Sequence, residues 1–197
     1  MTELERCLGG KSSIALGGQL KITAMTMQST SLWDFSNQLY DREGIASLCL
    51  RLQDEYQLDV NLLLFCCWCA HFEKELPEEI WQRILGFSNE WRSQVVKPLR
   101  DVRKWMKLES STYSRENQFS VLRDRIKMDE LAAEKIQQEF IESSLENLVE
   151  TKAEFSEARA NSYLTRLLQA FKIERGKEIN AQLEVLIKAA NDSAGVK

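Results

Sequence analysis

Three cysteines and the single histidine of the chain lie together in the hexapeptide CCWCAH. If this stretch is helical, Cys67 and His71 are one turn apart, and Cys66 and Cys69 are also neighbours. Thiolates and an imidazole suit zinc or an iron–sulfur centre, so these four residues form an alternative metal or redox site. The surrounding run is apolar on every side, which is typical of a central core helix whose free cysteines act as small hydrophobes. We therefore predict a core helix here, with no metal ligands and no cofactor.

Other motifs of enzymes are not found in the sequence. A Ser–His–Asp or Cys–His site would have to use His71, and no Gly-x-Ser-x-Gly elbow accompanies it. The string GGKS at residues 9–12 lacks the first glycine of a phosphate-binding Walker motif and the strand that precedes it. The sequence therefore predicts a protein that is not an enzyme.

A basic face is the most distinctive surface feature. Its six residues are Arg92, Lys97, Arg100, Arg103, Lys104 and Lys107. Because successive helical residues are about 100° apart, they share an arc of about 140°. The opposite arc, expected to face inward, holds Trp91, Val95, Leu99, Val102, Trp105 and Met106. The basic face could hold phosphates, an acidic protein surface or anionic lipid. Alternatively, its arginines pair with acids of the C-terminal part such as Glu130, Glu134 or Glu142.

Nucleic-acid binding through residues 92–107 is the weaker of these interpretations. The chain carries a net charge of −4, and inward-facing Trp91 and Trp105 would leave no aromatic side chains for stacking bases. We therefore do not expect a nucleic-acid partner.

A small pocket is the other candidate site. Asn61 falls in the first turn of the predicted core helix, where its amide is expected to hydrogen-bond a neighbouring helix. The alternative is that Asn61 lines a small pocket with Trp33 and Trp68.

Composition predicts the elements that position these residues. The 197 residues are 44% hydrophobic and 28% charged, with 2 Pro and 8 Gly. This excludes a disordered chain and disfavours an all-β fold. The spacing of apolar residues predicts an all-α fold: a compact Trp-rich helical bundle followed by long amphipathic, coiled-coil-like helices. The corresponding division is a disordered leader over 1–30, a bundle domain over 31–108 and an amphipathic extension over 109–197.

Local signals place the helix starts. Ser31 or Thr30 is expected to cap the first helix, Gly44 to open the second and Asp59 to cap the core helix. A fourth helix should begin at Pro77 and stop near Gly86. Ser88 or Asn89 should cap a fifth helix, which Pro98 kinks or restarts.

The cysteines and the N-terminus suggest a compartment. Five cysteines is an odd number, which is typical of reduced thiols in a cytoplasmic protein rather than of a secreted disulfide scaffold. No signal peptide is recognised, and the longest apolar run is far shorter than the roughly 20 residues that span a membrane. Translation starting at Met25 or Met27 would remove most of the leader.

The stretch SLWDFSNQLYDREGIASLCLRLQDEYQLDVNLLLFCCW resembles the opening of a proteobacterial family of conserved hypothetical proteins, classed as a domain of unknown function. The resemblance continues in WRSQVVKPLRDVRKWMK and in DELAAEKIQQEFI, and covers about residues 31–145. The resemblance implies a helical, cytosolic bacterial protein and gives no expected activity.

Together the observations predict a non-enzymatic interaction, adaptor or regulatory module that binds a protein partner or itself through amphipathic helices. A small-ligand, metal or redox protein that uses the Cys66–His71 helix is the alternative.

Overall fold

A computed structural model describes residues 31–73, 75–109, 117–145 and 154–194. The predicted leader (residues 1–30), with its alternative translation starts at Met25 and Met27, lies outside the described residues. The helices are α1 Leu32–Tyr40, α2 Ile45–Tyr56, α3 Val60–Cys69, α4 Glu78–Trp91, α5 Lys97–Leu108, α6 Asn117–Ser143, α7 Glu157–Ala170 and α8 Lys177–Ala194. A π-helical turn, Arg92–Val96, joins α4 to α5. The predicted all-α fold class is confirmed.

The first three helices begin where the sequence predicts. The Ser31 side chain accepts a hydrogen bond from the Asp34 backbone N–H at 3.0 Å, as an N-cap does. Gly44 precedes α2 with a φ of 79°, a left-handed conformation that glycine adopts without strain. The Asp59 carboxylate caps α3 by accepting from the Asn61 backbone N–H at 2.9 Å.

The core is built around α3. Every residue from Asn61 to Cys69 is buried, and α3 contacts α1, α2, α6, α7 and α8. Trp81 of α4 adds a further contact by stacking on Phe65 with a 6.3 Å separation of the ring centroids. A helix that is apolar all round is stable only where other helices cover each of its faces.

Helices α7 and α8 belong to this same core. Leu164 and Leu167 of α7, and Leu183 and Leu186 of α8, are fully buried in one cluster with the side chains of α1 to α3. The core therefore joins residues on both sides of the division predicted at 108/109. Across the described ranges, no helix has the combination of length and apolarity that crossing a bilayer demands.

The predicted break between the fourth and fifth helices is wrong. Helix α4 runs through Gly86 to Trp91, and Ser88 is a buried residue within it rather than an N-cap. A glycine inside a helix costs about 1 kcal/mol, which burial of Trp81 and its neighbours on α4 offsets. The expected interruption at Pro98 takes the form of the preceding π turn, which widens the backbone before a residue that cannot donate a hydrogen bond.

We predict that the shared core unfolds as one unit. Leu183→Ala should lower the free energy of unfolding by about 2–5 kcal/mol, because it opens a cavity beside α3. Val185→Ala, whose side chain on the same helix is 55% exposed, should change it by about 0.5 kcal/mol or less. All five tryptophans lie between positions 33 and 105, so urea unfolding followed by tryptophan fluorescence reports mainly on the N-terminal helices, with Trp81 also in contact with Tyr163 of α7. A Leu183→Ala transition that moved in circular dichroism but not in fluorescence would show two separate cores.

Candidate functional site

Two of the predicted basic residues, Arg100 and Arg103, are engaged in ion pairs with α6. The Arg100 Nε lies 2.8 Å from the Glu130 carboxylate, and its Nη2 donates to Glu134. Arg103 donates to both oxygens of Glu130, at 3.1 Å from Nη2 and through Nε. The remaining Arg100 nitrogen donates to the Gln53 side chain of α2. The cluster links α2, α5 and α6, and its arginines have the acidic partners that the sequence offered as one alternative.

The two glutamates of this cluster are shifted in opposite directions. Burial acts to raise the pKa of Glu130, but hydrogen bonds from Arg103 and Arg100 hold it below its ordinary value. Burial dominates at Glu134 and raises its pKa to about 7 in spite of the neighbouring Arg100. Glu130 is therefore charged at neutral pH, whereas Glu134 titrates there.

The three lysines of the predicted basic face are exposed on α5. Lys97 pairs with Asp101 at 2.5 Å within α5, and Lys104 reaches Asp54 of α2 at 3.2 Å. Lys107 is exposed near the end of α5. Arg100 and Arg103 are therefore taken up by the contact with α6, whereas the lysines remain exposed.

Arg92 and Glu142 also have local roles. Arg92 is half-buried in the π turn and lines a small polar gap with Asp59. Glu142 accepts a hydrogen bond from the Leu32 backbone N–H at 3.1 Å, so it serves the start of α1 rather than an arginine.

The apolar arc predicted opposite the basic face faces inward only in part. Met106 is buried, but Val102 and Trp105 are 46% and 53% exposed. Trp91 is half-buried, and its indole N–H donates to the Ala133 carbonyl at 2.9 Å. The expectation is wrong for Val102 and Trp105, because arginine–glutamate pairs lie in the contact between α5 and α6.

The cysteines of α3 lie in the core. Cys66, Cys67 and Cys69 are fully buried free thiols, and burial raises the pKa of each. His71 is half-buried between the rings of Phe35 and Phe155, with centroid separations of 5.7 and 5.1 Å. Within the described ranges, no three histidine, cysteine, aspartate or glutamate side chains are grouped as a metal site would require.

A chain of buried side-chain amides begins at the α3 cap. The Gln137 Nε2 donates to the Asp59 carboxylate at 2.8 Å, and the Asn61 Nδ2 donates to the Gln137 Oε1 at 2.8 Å. The Gln138 Nε2 then donates to the Asn61 Oδ1 at 2.7 Å. We call this series the amide relay. It supplies the hydrogen bonds to a neighbouring helix that the sequence predicts for Asn61.

The amide relay borders a cavity of about 120 Å³ between α1, α2, α3 and α6. Trp33 and Asn61 line this cavity, as the pocket alternative proposed. Trp68 does not, because it lies seven residues beyond Asn61 on α3, a rise of about 10 Å. Its ring packs instead against Phe72 with a centroid separation of 4.7 Å.

Sequence reasoning missed Gln137, Gln138 and Ser36, which are nearly fully buried. The two glutamines belong to a long polar stretch whose composition is that of a solvated helix face. The one available signal is the four-residue spacing from Ala133 through Gln137 to Ile141, which places the three side chains on one side of α6.

Comparison with known proteins identifies a family but no activity. The model of a family described as "Protein of unknown function (DUF2390)" matches residues 31–141. This range includes the arginine–glutamate cluster and the whole amide relay. No curated protein and no solved structure matches the chain.

We predict that Glu134 makes the protein less stable as the pH rises. The folded-state pKa of about 7 exceeds the ordinary value of 4.5, so the folded state binds more protons between these two pH values and loses stability across them. Urea unfolding from about pH 5 to pH 8 should show this loss reduced in Glu134→Gln. Glu139→Gln changes an exposed carboxyl of the same helix and should leave the slope unaltered. Equal slopes for wild type and Glu134→Gln would contradict the assignment.

We also predict that the core thiols are unreactive in the folded protein. Burial raises the pKa of Cys49 to about 12 from 9.0, which lowers the thiolate fraction at neutral pH by about a thousandfold. In a Cys7→Ser variant every remaining thiol is one of the four buried ones. Iodoacetamide labelling followed by mass spectrometry should be slow in buffer and rapid in urea. Labelling at the same rate in both solutions would show that α3 is open to solvent.

Proposed function

Because this chain belongs to the family of unknown function DUF2390, we propose its function from the geometry of its surface. It is a cytoplasmic adaptor or regulatory module that acts without catalysis and binds a partner protein. The contact surface is the apolar end of the α5–α6 pair, which we call the apolar tip.

The proposal rests on the apolar tip because its apolar side chains are exposed, whereas such side chains are usually buried. Val102, Trp105, Leu108, Val121 and Leu122 are between 46% and 79% exposed. They lie towards the end of α5 and the start of α6, the two ends that adjoin each other in this antiparallel pair. Grouped exposed apolar side chains of this size mark interaction sites in soluble proteins.

The orientation of α5 turns one side of the apolar tip away from the bundle. Val102 and Lys104 flank Arg103, so they point about 100° to either side of the direction in which Arg103 meets α6. Lys104 pairs with Asp54 of α2, which identifies its side as the one that faces the bundle. Val102 consequently lies on the outer side, where a partner has access.

Charge around the apolar tip indicates the chemistry of the partner. Residues 104–108 and 118–129 hold five basic and two acidic side chains, a net charge of +3, whereas the rest of the chain carries −7. A basic border around exposed aromatic and aliphatic groups fits an amphipathic helix with acidic flanks. Trp105 is the largest of the exposed apolar side chains, and aromatic residues often contribute most of the binding energy of an interface.

We predict that a photo-crosslinking amino acid at position 105 captures a partner protein in the native host. The same amino acid at position 185, an equally exposed site on α8, is the matched control. With the captured partner purified, Trp105→Ala and Leu108→Ala should each weaken binding by about tenfold or more. Val185→Ala should not, and added salt should weaken the wild-type complex, since the basic border contributes to it.

The same experiment can contradict the proposal in four ways. Equal capture from positions 105 and 185 would show that the apolar tip has no selectivity. Capture of a second copy alone would show self-association, and capture of nucleic acid would show that the basic border binds phosphate. A captured protein whose crosslinked segment is neither helical nor acidic would contradict the stated partner chemistry.

A further inference from the structure

We propose that the cavity between α1, α2, α3 and α6 binds a small single-ring molecule that presents an N–H or O–H donor. This site is separate from the apolar tip and does not depend on the function proposed for it. The proposal rests on two unpaired polar atoms, on the fixed orientation of one of them and on the walls of the cavity.

Two buried polar atoms of the cavity residues have no hydrogen-bond partner in the protein. They are the Ser36 Oγ of α1 and the Gln138 Oε1 of α6. Their residues are only 3% and 2% exposed, so bulk water does not reach them as it reaches a surface group. Buried polar groups are nearly always paired, so two unpaired ones whose residues line the same cavity mark a place for a partner from outside the chain.

The amide relay determines that Gln138 presents an acceptor. Both oxygens of the Asp59 carboxylate accept hydrogen bonds, one from Gln137 and the other from the backbone N–H groups of Asn61 and Leu62. An ionised Asp59 can only accept, so Gln137 turns its NH₂ group to the carboxylate and leaves its oxygen for Asn61. In the same way, Asn61 donates its NH₂ group to Gln137, and Gln138 donates its NH₂ group to the Asn61 oxygen. The last oxygen, Gln138 Oε1, is therefore an acceptor, and its missing partner is a donor.

The remaining walls select for size and shape. One side of the cavity is apolar and is lined by Trp33, Leu50, Leu64 and Leu131. The other side is polar, and its lining includes Ser36 and Gln138 together with Tyr40, Gln53 and the Arg100–Glu134 ion pair. Its volume of about 120 Å³ is close to the roughly 150 Å³ of an engineered cavity that binds benzene. The cavity thus fits one ring whose face lies against apolar groups and whose N–H or O–H meets Gln138 and Ser36.

Aniline and toluene test this directly, because they share one shape and differ in NH₂ against CH₃. Each is titrated into ¹⁵N-labelled full-length protein, and the Trp33 indole resonance, assigned from its loss in Trp33→Phe, is followed. We expect aniline to shift this resonance saturably and to bind several-fold more tightly than toluene. A cavity without an available acceptor would prefer toluene, since the amine must be dehydrated.

Matched variants separate the cavity from general effects on the fold. Ser36→Ala and Gln138→Leu should each weaken aniline binding by about fivefold or more. Ser88→Ala and Gln182→Leu are the controls, since these residues also hold buried unpaired oxygens but lie on α4 and α8, outside the cavity lining. If Gln138→Leu does not fold, Ser36→Ala decides the test, because it removes one hydroxyl and breaks no bond of the amide relay.

Three results would overturn the proposal. Toluene binding as tightly as aniline would show that the unpaired acceptor plays no part. Binding of neither compound at millimolar concentration would show that water alone occupies the cavity. Equal weakening by Ser36→Ala and Ser88→Ala would place the effect in the fold rather than in the cavity.

Discussion

The architecture depends on one constraint, which is that α3 has no face that tolerates water. Nine consecutive residues of this helix are buried, so helices have to cover it on every side. Helices α1, α2 and α6 cover part of its circumference, and α7, α8 and Trp81 of α4 cover the rest. Chain segments far apart in sequence are thereby held in one core, because no subset of them would exclude water from α3 by itself.

Burying the start of α3 also buries its cap, and the polar clusters follow from that. Asp59 is 4% exposed, and an ionised carboxylate in such a place needs donors that the apolar helices cannot supply. Burial raises the pKa of Asp59, and the hydrogen bond from Gln137 of α6 and the charge of Arg92 oppose this effect. The pairs of Arg100 and Arg103 with glutamates of α6 favour one register of α5 against α6, since each buried charge would be costly without its partner.

Local signals in the sequence were sufficient for the first three helices, and long-range packing explains what they could not predict. The caps at Ser31 and Asp59 and the left-handed Gly44 involve only neighbouring residues, so their positions follow from the sequence. Gly86 looks like a helix end until the burial of its neighbours is known. The orientation of Trp105 and the burial of Gln138 are set by residues of other helices, which periodicity within one segment does not reveal. Pairing of Arg100 with Glu134 was foreseeable only as one of two alternatives.

Residues 78–108 form one continuous rod in which the π turn accommodates one residue more than an α-helical turn would. One extra residue advances the helical phase by about 100°, so α5 is rotated about its axis relative to a direct continuation of α4. The direction in which each α5 side chain points is therefore set by residues 92–96, and not by the amphipathicity of α5 itself. Deletion of one residue from the π turn would rotate Arg100 by about 100° about the α5 axis, away from α6, and other side chains would face α6 instead. Insertion or deletion of one residue at this point would therefore change which side of α5 is buried without substituting any of its residues.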